Sequence, residues 1–288
     1  MDKARSVVGF VLAAAVVGAL TGLAAASFRV LLDYATQWRA SLSHWSHGSW
    51  WGPIVVVAIC AVCTAAAASL VRRVEPNAEG SGIPRVEAVV AGRAEPGRFR
   101  ILPIKYVGGL LSLGSGLALG REGPSVQMGG SIAIIVASAT RRSRADLRIL
   151  AAAGAAAGLA TAFNAPIAGG VFVLEELVKR FDPRTTVATL VASASGFMAA
   201  YPFVHSGSEF QVQPLADPQL GGSGWVLAVG VLTGVLGVLY NKAIMFSLRT
   251  ADTSGWPVEV RAALIGATVG VLVWYSPDLA GDRKSTRL

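Results

Sequence analysis

Two short stretches decide how this chain reads: Gly120-Arg121-Glu122-Gly123-Pro124 and Gly80-Ser81-Gly82-Ile83-Pro84. Each places Gly and a small or acidic residue just ahead of Pro, and an apolar run follows. Pro suits the first turn of a helix, where its missing N–H costs nothing, and the residues before it are free to cap. Ser81 is expected as the cap of the first helix. The apolar runs around both starts put them at membrane depth. A helix N-terminus there offers unpaired N–H groups and a positive dipole end, with no water to satisfy them. Something negative belongs at such a place, either a dissolved anion or a carboxylate of the protein. Ser81 is fitted to share an anion, and Glu122 to take an anion's place.

Composition agrees with a membrane setting. Of 288 residues, 53% are hydrophobic and 15% charged, and the mean hydropathy is +0.56. That is too apolar for a soluble domain. The 33 glycines supply the small residues that let membrane helices approach closely. Net charge is +8, but the basic residues fall in short clusters between apolar runs, with no nucleic-acid motif, so no nucleic-acid partner is expected. Cys60 and Cys63 form a C-x-x-C inside the run from Pro53 to Val71 and read as packing, not as a metal or redox pair. The first apolar stretch imitates a signal peptide, yet it exceeds the usual h-region of about 7–15 residues and reads as a retained helix.

Membrane segments are expected at 7–32, 53–71, 101–119, 125–139, 147–162, 166–178, 185–204, 223–248 and 261–275. Several fall short of the about 20 residues that a full span needs, the mark of broken helices whose ends meet inside the membrane. Basic clusters at 72–105, 141–148 and 179–184 face the cytoplasm by the positive-inside rule, which places the N-terminus there too. The loop 201–223 lacks Lys and Arg, and 38–51 has only Arg39, so both face outward. Trp38, Trp45, Trp50, Trp51, His44 and His47 then form an interfacial belt, and no metal site is expected at the two histidines, which lack a third ligand nearby. Small-x-x-x-small pairs recur at Gly18/Gly22, Gly154/Gly158, Gly230/Gly234 and Gly266/Gly270, but only the Ala/Gly block 151–160 is given weight as a packing seam.

Four stretches in order resemble the CLC family of chloride channels and chloride/proton antiporters. They are Gly80–Pro84, Gly120–Pro124 running on to Gln127, Gly154-Ala-Ala-Ala-Gly158 leading to Phe163-Asn-Ala-Pro166, and Glu175-Glu176. The resemblance implies an all-α integral membrane protein: an inverted-repeat bundle of tilted and broken helices, with an incomplete second repeat. The transmembrane domain is expected over 1–281, with the first repeat at about 5–204 and the start of the second at about 222–281. Residues 282–288 are expected to be a non-native tail, since back-translation matches a sequencing adapter. The family's Gly-x-Phe-x-Pro stretch and its chloride-contacting Tyr are not found, and an uncovered apolar face is expected.

The resemblance assigns roles residue by residue. Chloride is bound by Ser81, Gly82 and Ile83, and Ser at this position goes with chloride preference. Arg85 stands where the family often has an acid, which makes the inner mouth more positive. Glu122 is the external gate and proton acceptor, flanked at its helix start by Gly120, Arg121, Gly123 and Pro124. Read from the residues alone, Glu122 has a rival role in an ion pair with Arg121. Glu176, beside Glu175, is the inner proton-transfer residue, and it favours the antiporter branch over the channel branch. Spacing alone offers a plainer alternative, ion pairs Glu175–Lys179 and Glu176–Arg180 at i,i+4. The implied activity is voltage-sensitive anion transport, chloride crossing the membrane in exchange for protons, by a homodimer in a bacterial inner membrane. No cofactor, metal or enzymatic chemistry is implied. The alternatives are a passive chloride channel and a non-functional membrane fragment. A phosphate-handling transferase is disfavoured, because neither Gly-rich turn carries the Lys and Ser/Thr of a P-loop.

Overall fold

The structure, a computed structural model, describes residues 2–204 and 223–276, with side-chain environments from residue 7 onward. The helices are α1 (Asp2–Ser46), α2 (Gly52–Val74), α3 (Ile83–Val90), α4 (Ile101–Gly114), α5 (Glu122–Ala139), α6 (Arg144–Phe163), α7 (Pro166–Phe172), α8 (Pro183–Ala200), α9 (Ser223–Thr253) and α10 (Val258–Tyr275). A 3-10 turn, Pro76–Ala78, precedes α3, and a π turn, Val173–Val178, continues α7. The expected all-α architecture is what is found, with no strand among the described residues. Among the described residues five helices are long and apolar enough to cross a membrane: Val7–Ser46 of α1, α2, α6, α9 and α10. By contrast α4, at 14 residues, reaches only about 21 Å at 1.5 Å per residue, and α3, at eight, about 12 Å. These are the broken pieces the sequence announced.

Helix α6 is the axis. Ser143 caps it, its side chain accepting from the Asp146 N–H at 3.1 Å. Every residue from Leu150 to Ala162 is buried. The helix stops at Asn164 (φ 56°), and Pro166 two residues later starts α7 in a new direction. Around α6 pack α5, α8, α1, α7 and α3. Lipid tails are as apolar as Leu, so these contacts gain from close packing rather than from expelling water. Gly129 and Gly154 sit against each other's carbonyls, and a Cβ on Gly158 would lie 2.6 Å from the Ser125 carbonyl carbon.

Two glycine pairs that the sequence reading discounted prove to be seams as well. Gly18 and Gly22 of α1 abut the backbone of Ala192 and Gly196 on α8. Gly266 and Gly270 of α10 abut Cys60, Thr64 and Val57 on α2. Of the four pairs, Gly230 and Gly234 on α9 alone face open space among the described residues. Indeed no residue of α9 is buried against the other described residues. Cys60 is buried and its thiol donates to the Ser115 carbonyl at 3.2 Å, a packing position as read. His47 stacks on Trp274, ring centres 5.4 Å apart, tying the end of α1 to α10.

Candidate functional site

The turn 75–82 is built to bring one hydroxyl to one helix start. Gly80 (φ 67°) and Gly82 (φ 83°) take left-handed conformations that an L side chain resists. Gly82, not Ser81, occupies the capping position of α3. Ser81 lies one residue earlier, and its Oγ accepts from the Ile83 N–H at 3.3 Å. This corrects the expected cap: the left-handed Gly82 moves the helix boundary one residue on, and the hydroxyl hangs beside the first turn. Ser81 itself is exposed.

Three carbonyls of this turn are claimed by donors. Lys105, on α4 and only 6% exposed, donates from Nζ to Ala78 O at 3.1 Å and to Gly80 O. Gln127, on α5, donates from Nε2 to Asn77 O at 2.8 Å. The Asn77 amide in turn donates to Glu75 at 2.7 Å. These bonds occupy three carbonyls of the turn, and the start of α3 adds its first-turn N–H groups to it. Among the described residues Lys105 has no carboxylate partner.

The second helix start meets the first. A Cβ on Gly123 would lie 2.6 Å from Ser81 O and 3.0 Å from Ser81 Cβ, so the first turn of α5 rests directly on the Ser81 turn. One on Gly82 would strike the Gln127 side chain, 2.6 Å from its Cβ. The structure therefore brings Ser81, Gly82, Gly123 and Gln127 together, with Lys105 behind the turn. Glu122, the first residue of α5, is half-buried and folds its carboxylate back over Gly120. It faces a cavity of about 170 Å³ lined by Leu32, Thr36, Leu113, Leu117, Leu119 and the Gly120–Glu122 backbone turn. That is room for on the order of five waters. No hydrogen bond or ion pair to the Glu122 carboxylate is made among the described residues.

Glu175 and Glu176 stand elsewhere, exposed on the π turn. The i,i+4 pair from Glu175 to Lys179 is not formed. The π turn widens the helix, Lys179 turns left-handed (φ 57°), and its Nζ binds Glu87 of α3 at 3.2 Å instead. Helix α3 thus touches both features: its start carries the Ser81 turn and its far end holds Lys179.

Sequence reasoning had counted Lys105 only as a charge for orientation. The signal was present, since a Lys within the apolar stretch 101–119 has to be paired or functional.

A comparison with known proteins turns this geometry into a family. The profile of the voltage gated chloride channel family matches residues 63–287. The chain is a member of that family. As a CLC protein with five apolar spans it is a multi-pass integral membrane protein. A relative from Vibrio cholerae, the H(+)/Cl(-) exchange transporter ClcA, is 38% identical over 74% of this chain and 47% of its own length. The ClcA of Cronobacter sakazakii is 32% identical over 98% of this chain and 62% of its own. Among solved structures, a slow cyanobacterial Cl-/H+ antiporter superposes with a TM-score of 0.88 at 31% identity, covering 94% of this chain and 65% of that one. The chain therefore spans between about half and two thirds of the CLC proteins it matches.

Proposed function

We propose that this chain carries the anion and proton machinery of a chloride/proton antiporter. The observation that carries the reading is the contact of Gly123 with Ser81 in front of a buried lysine that lacks a carboxylate partner. A buried cation without a counter-charge is costly inside a membrane. A chloride ion beside the Ser81 hydroxyl and the first-turn N–H groups of Gly82 and Ile83 would offset that cost. Ionised Glu122, next to Gly123 at the start of α5, wants the same donors, because both are monoanions. Protonated, it loses that attraction and stays in its cavity beside Leu32 and Leu117. Chloride entry and Glu122 protonation are then linked, which is the condition for exchange. Glu176, with Glu175 beside it, would take protons from the inner solution. The names of the ClcA relatives and of the cyanobacterial antiporter support this assignment. Net charge crosses the membrane in each cycle, so flux would respond to voltage.

The same reading extends to a homodimer in the lipid bilayer of a bacterial inner membrane, with the basic clusters and N-terminus cytoplasmic. The first inverted repeat would run from about 5 to 204 and the second would begin near 222. The tail at 282–288 lies outside the described residues.

Reconstitution in liposomes tests the proposal. Under a chloride gradient, protons are expected to move against their own gradient. Glu122→Gln should keep chloride flux and lose proton movement. Chloride flux with no proton movement in the unaltered protein would mean a passive channel, and a Glu122→Gln protein that still drives protons would overturn the assignment.

A further inference from the structure

The inner glutamates raise a question that their family role does not answer: why are two carboxylates, one four residues ahead of a lysine, left without a cation among the described residues? In a continuous α-helix Lys179 would sit at i+4 from Glu175 and i+3 from Glu176, within reach of either. Three features prevent it. The segment Val173–Val178 is a π turn, which rotates the residues after it off the α-helical register. Lys179 then adopts φ 57°, a conformation rarely taken by a residue with a Cβ. Its ammonium is held at 3.2 Å by Glu87, whose same oxygen also accepts from Arg93 at 3.3 Å.

We propose that the Lys179–Glu87 ion pair is a positioning device: by drawing the lysine across to α3 it keeps Glu175 and Glu176 clear of positive charge and available to protons. The inference rests on the antiport reading for its functional meaning. The chemistry is direct. A cation within about 4–6 Å of a carboxylate favours its ionised form and lowers its affinity for a proton. A proton-accepting pair at the inner mouth works better when the nearest lysine is occupied elsewhere.

The surrounding charges leave this role to Lys179. On α7 there is no charged residue. On α6, Arg144 binds Glu95, Asp146 binds Arg184 of α8, and the Arg148 guanidinium lies against Gly92. On α3, Arg85 donates to the Glu95 carbonyl, leaving Glu87 to hold Lys179 and Arg93. Arg180, at i+4 from Glu176, makes no ion pair with it among the described residues, because the same π turn breaks the register, and Asp182 is engaged in capping α8.

Carboxyl labelling by a carbodiimide with glycine ethyl ester, read by mass spectrometry on the detergent-solubilised protein, tests this without requiring transport. The reagent acts on the protonated acid, so its rate at fixed pH follows proton affinity. Glu87→Gln should release Lys179 onto the glutamates and slow labelling of Glu175 and Glu176 by up to about tenfold. Lys179→Met should leave that labelling at or above the starting level, and the double variant Glu87→Gln/Lys179→Met should restore it. Unchanged labelling in Glu87→Gln, or slow labelling that persists in the double variant, overturns the proposal. Chloride-driven proton flux in liposomes should follow the same order among the variants. Labelling that behaves as expected in a protein that moves no protons would leave the positioning intact and remove the antiport reading instead.

Discussion

The two helix starts share a spelling and differ in everything that surrounds it. Both open on Gly, carry a polar residue and a second glycine, and close on Pro at the fifth position. At the first, the polar residue is a neutral hydroxyl, exposed, on a turn clamped through its carbonyls by Lys105 and Gln127. At the second, it is a carboxylate, half-buried, unclamped, and facing a cavity to which four leucines contribute. One is a fixed seat and the other a loose occupant. The difference shows that Gly and Pro specify only where a helix begins, while neighbours remote in sequence decide what the beginning does.

Each difference can be attacked in turn. The largest effect is expected where the two starts touch. Gly123→Val puts a side chain onto the backbone of Ser81, an overpacking of about 1–3 kcal/mol. Chloride binding measured by calorimetry should vanish and the thermal midpoint in detergent should fall; retention of both would mean that the contact is incidental. Lys105→Met comes next, since it removes charge-assisted bonds to two carbonyls and a buried positive charge. Chloride affinity should weaken by about tenfold or more, and an unchanged Kd would free the lysine of any part in anion binding. Ser81→Ala deletes one neutral hydrogen bond and should weaken chloride by roughly two- to tenfold, with no loss of thermal stability.

Asp182 offers a control, an ordinary cap outside the membrane segments. Its side chain accepts from the Thr185 N–H at 3.0 Å, and hydrogen bonds from the Thr185 hydroxyl and then its N–H hold the carboxyl below the usual carboxylate range. Asp182→Ala should lower stability by about 1 kcal/mol with no effect on chloride. Because the folded pKa is the lower one, ionised Asp182 contributes stability above the unfolded value of about 3.9, and that contribution is lost as pH falls through the folded value. Melting curves of Asp182→Ala and the parent protein should therefore converge in acid. Curves that stay equally separated from neutral to acidic pH would show the charge to be irrelevant.

Much of this was legible in the chain itself. Gly and Pro announce the breaks before α3, α5 and α7, and long apolar runs announce α1, α2, α9 and α10. What escaped did so for physical reasons. The sequence Val173-Leu-Glu-Glu-Leu-Val178 is made of residues that suit a helix, and nothing in it marks the wider π turn. That turn emerges from packing on α3, α6 and α8. Lys179 pairs with a residue 92 positions away, where spacing offered a partner four away. The seams at Gly18/Gly22 and Gly266/Gly270 look like the unused Gly230/Gly234 until the facing helix is known. Lys105 was visible as a misfit in an apolar run, and its target, a pair of carbonyls in a distant turn, was not.

The backbones of α5 and α6 touch at Gly129 and Gly154 with no side chain between them. Steric contact of that kind acts as a weld: the helices can neither slide nor tilt without tearing neighbours from α1 and α8. Whatever switches during an ion's passage has to be lighter than a helix. A swing about the χ angles of one glutamate meets that requirement, and structures captured in acid and in base would then share a frame and differ by a single rotamer.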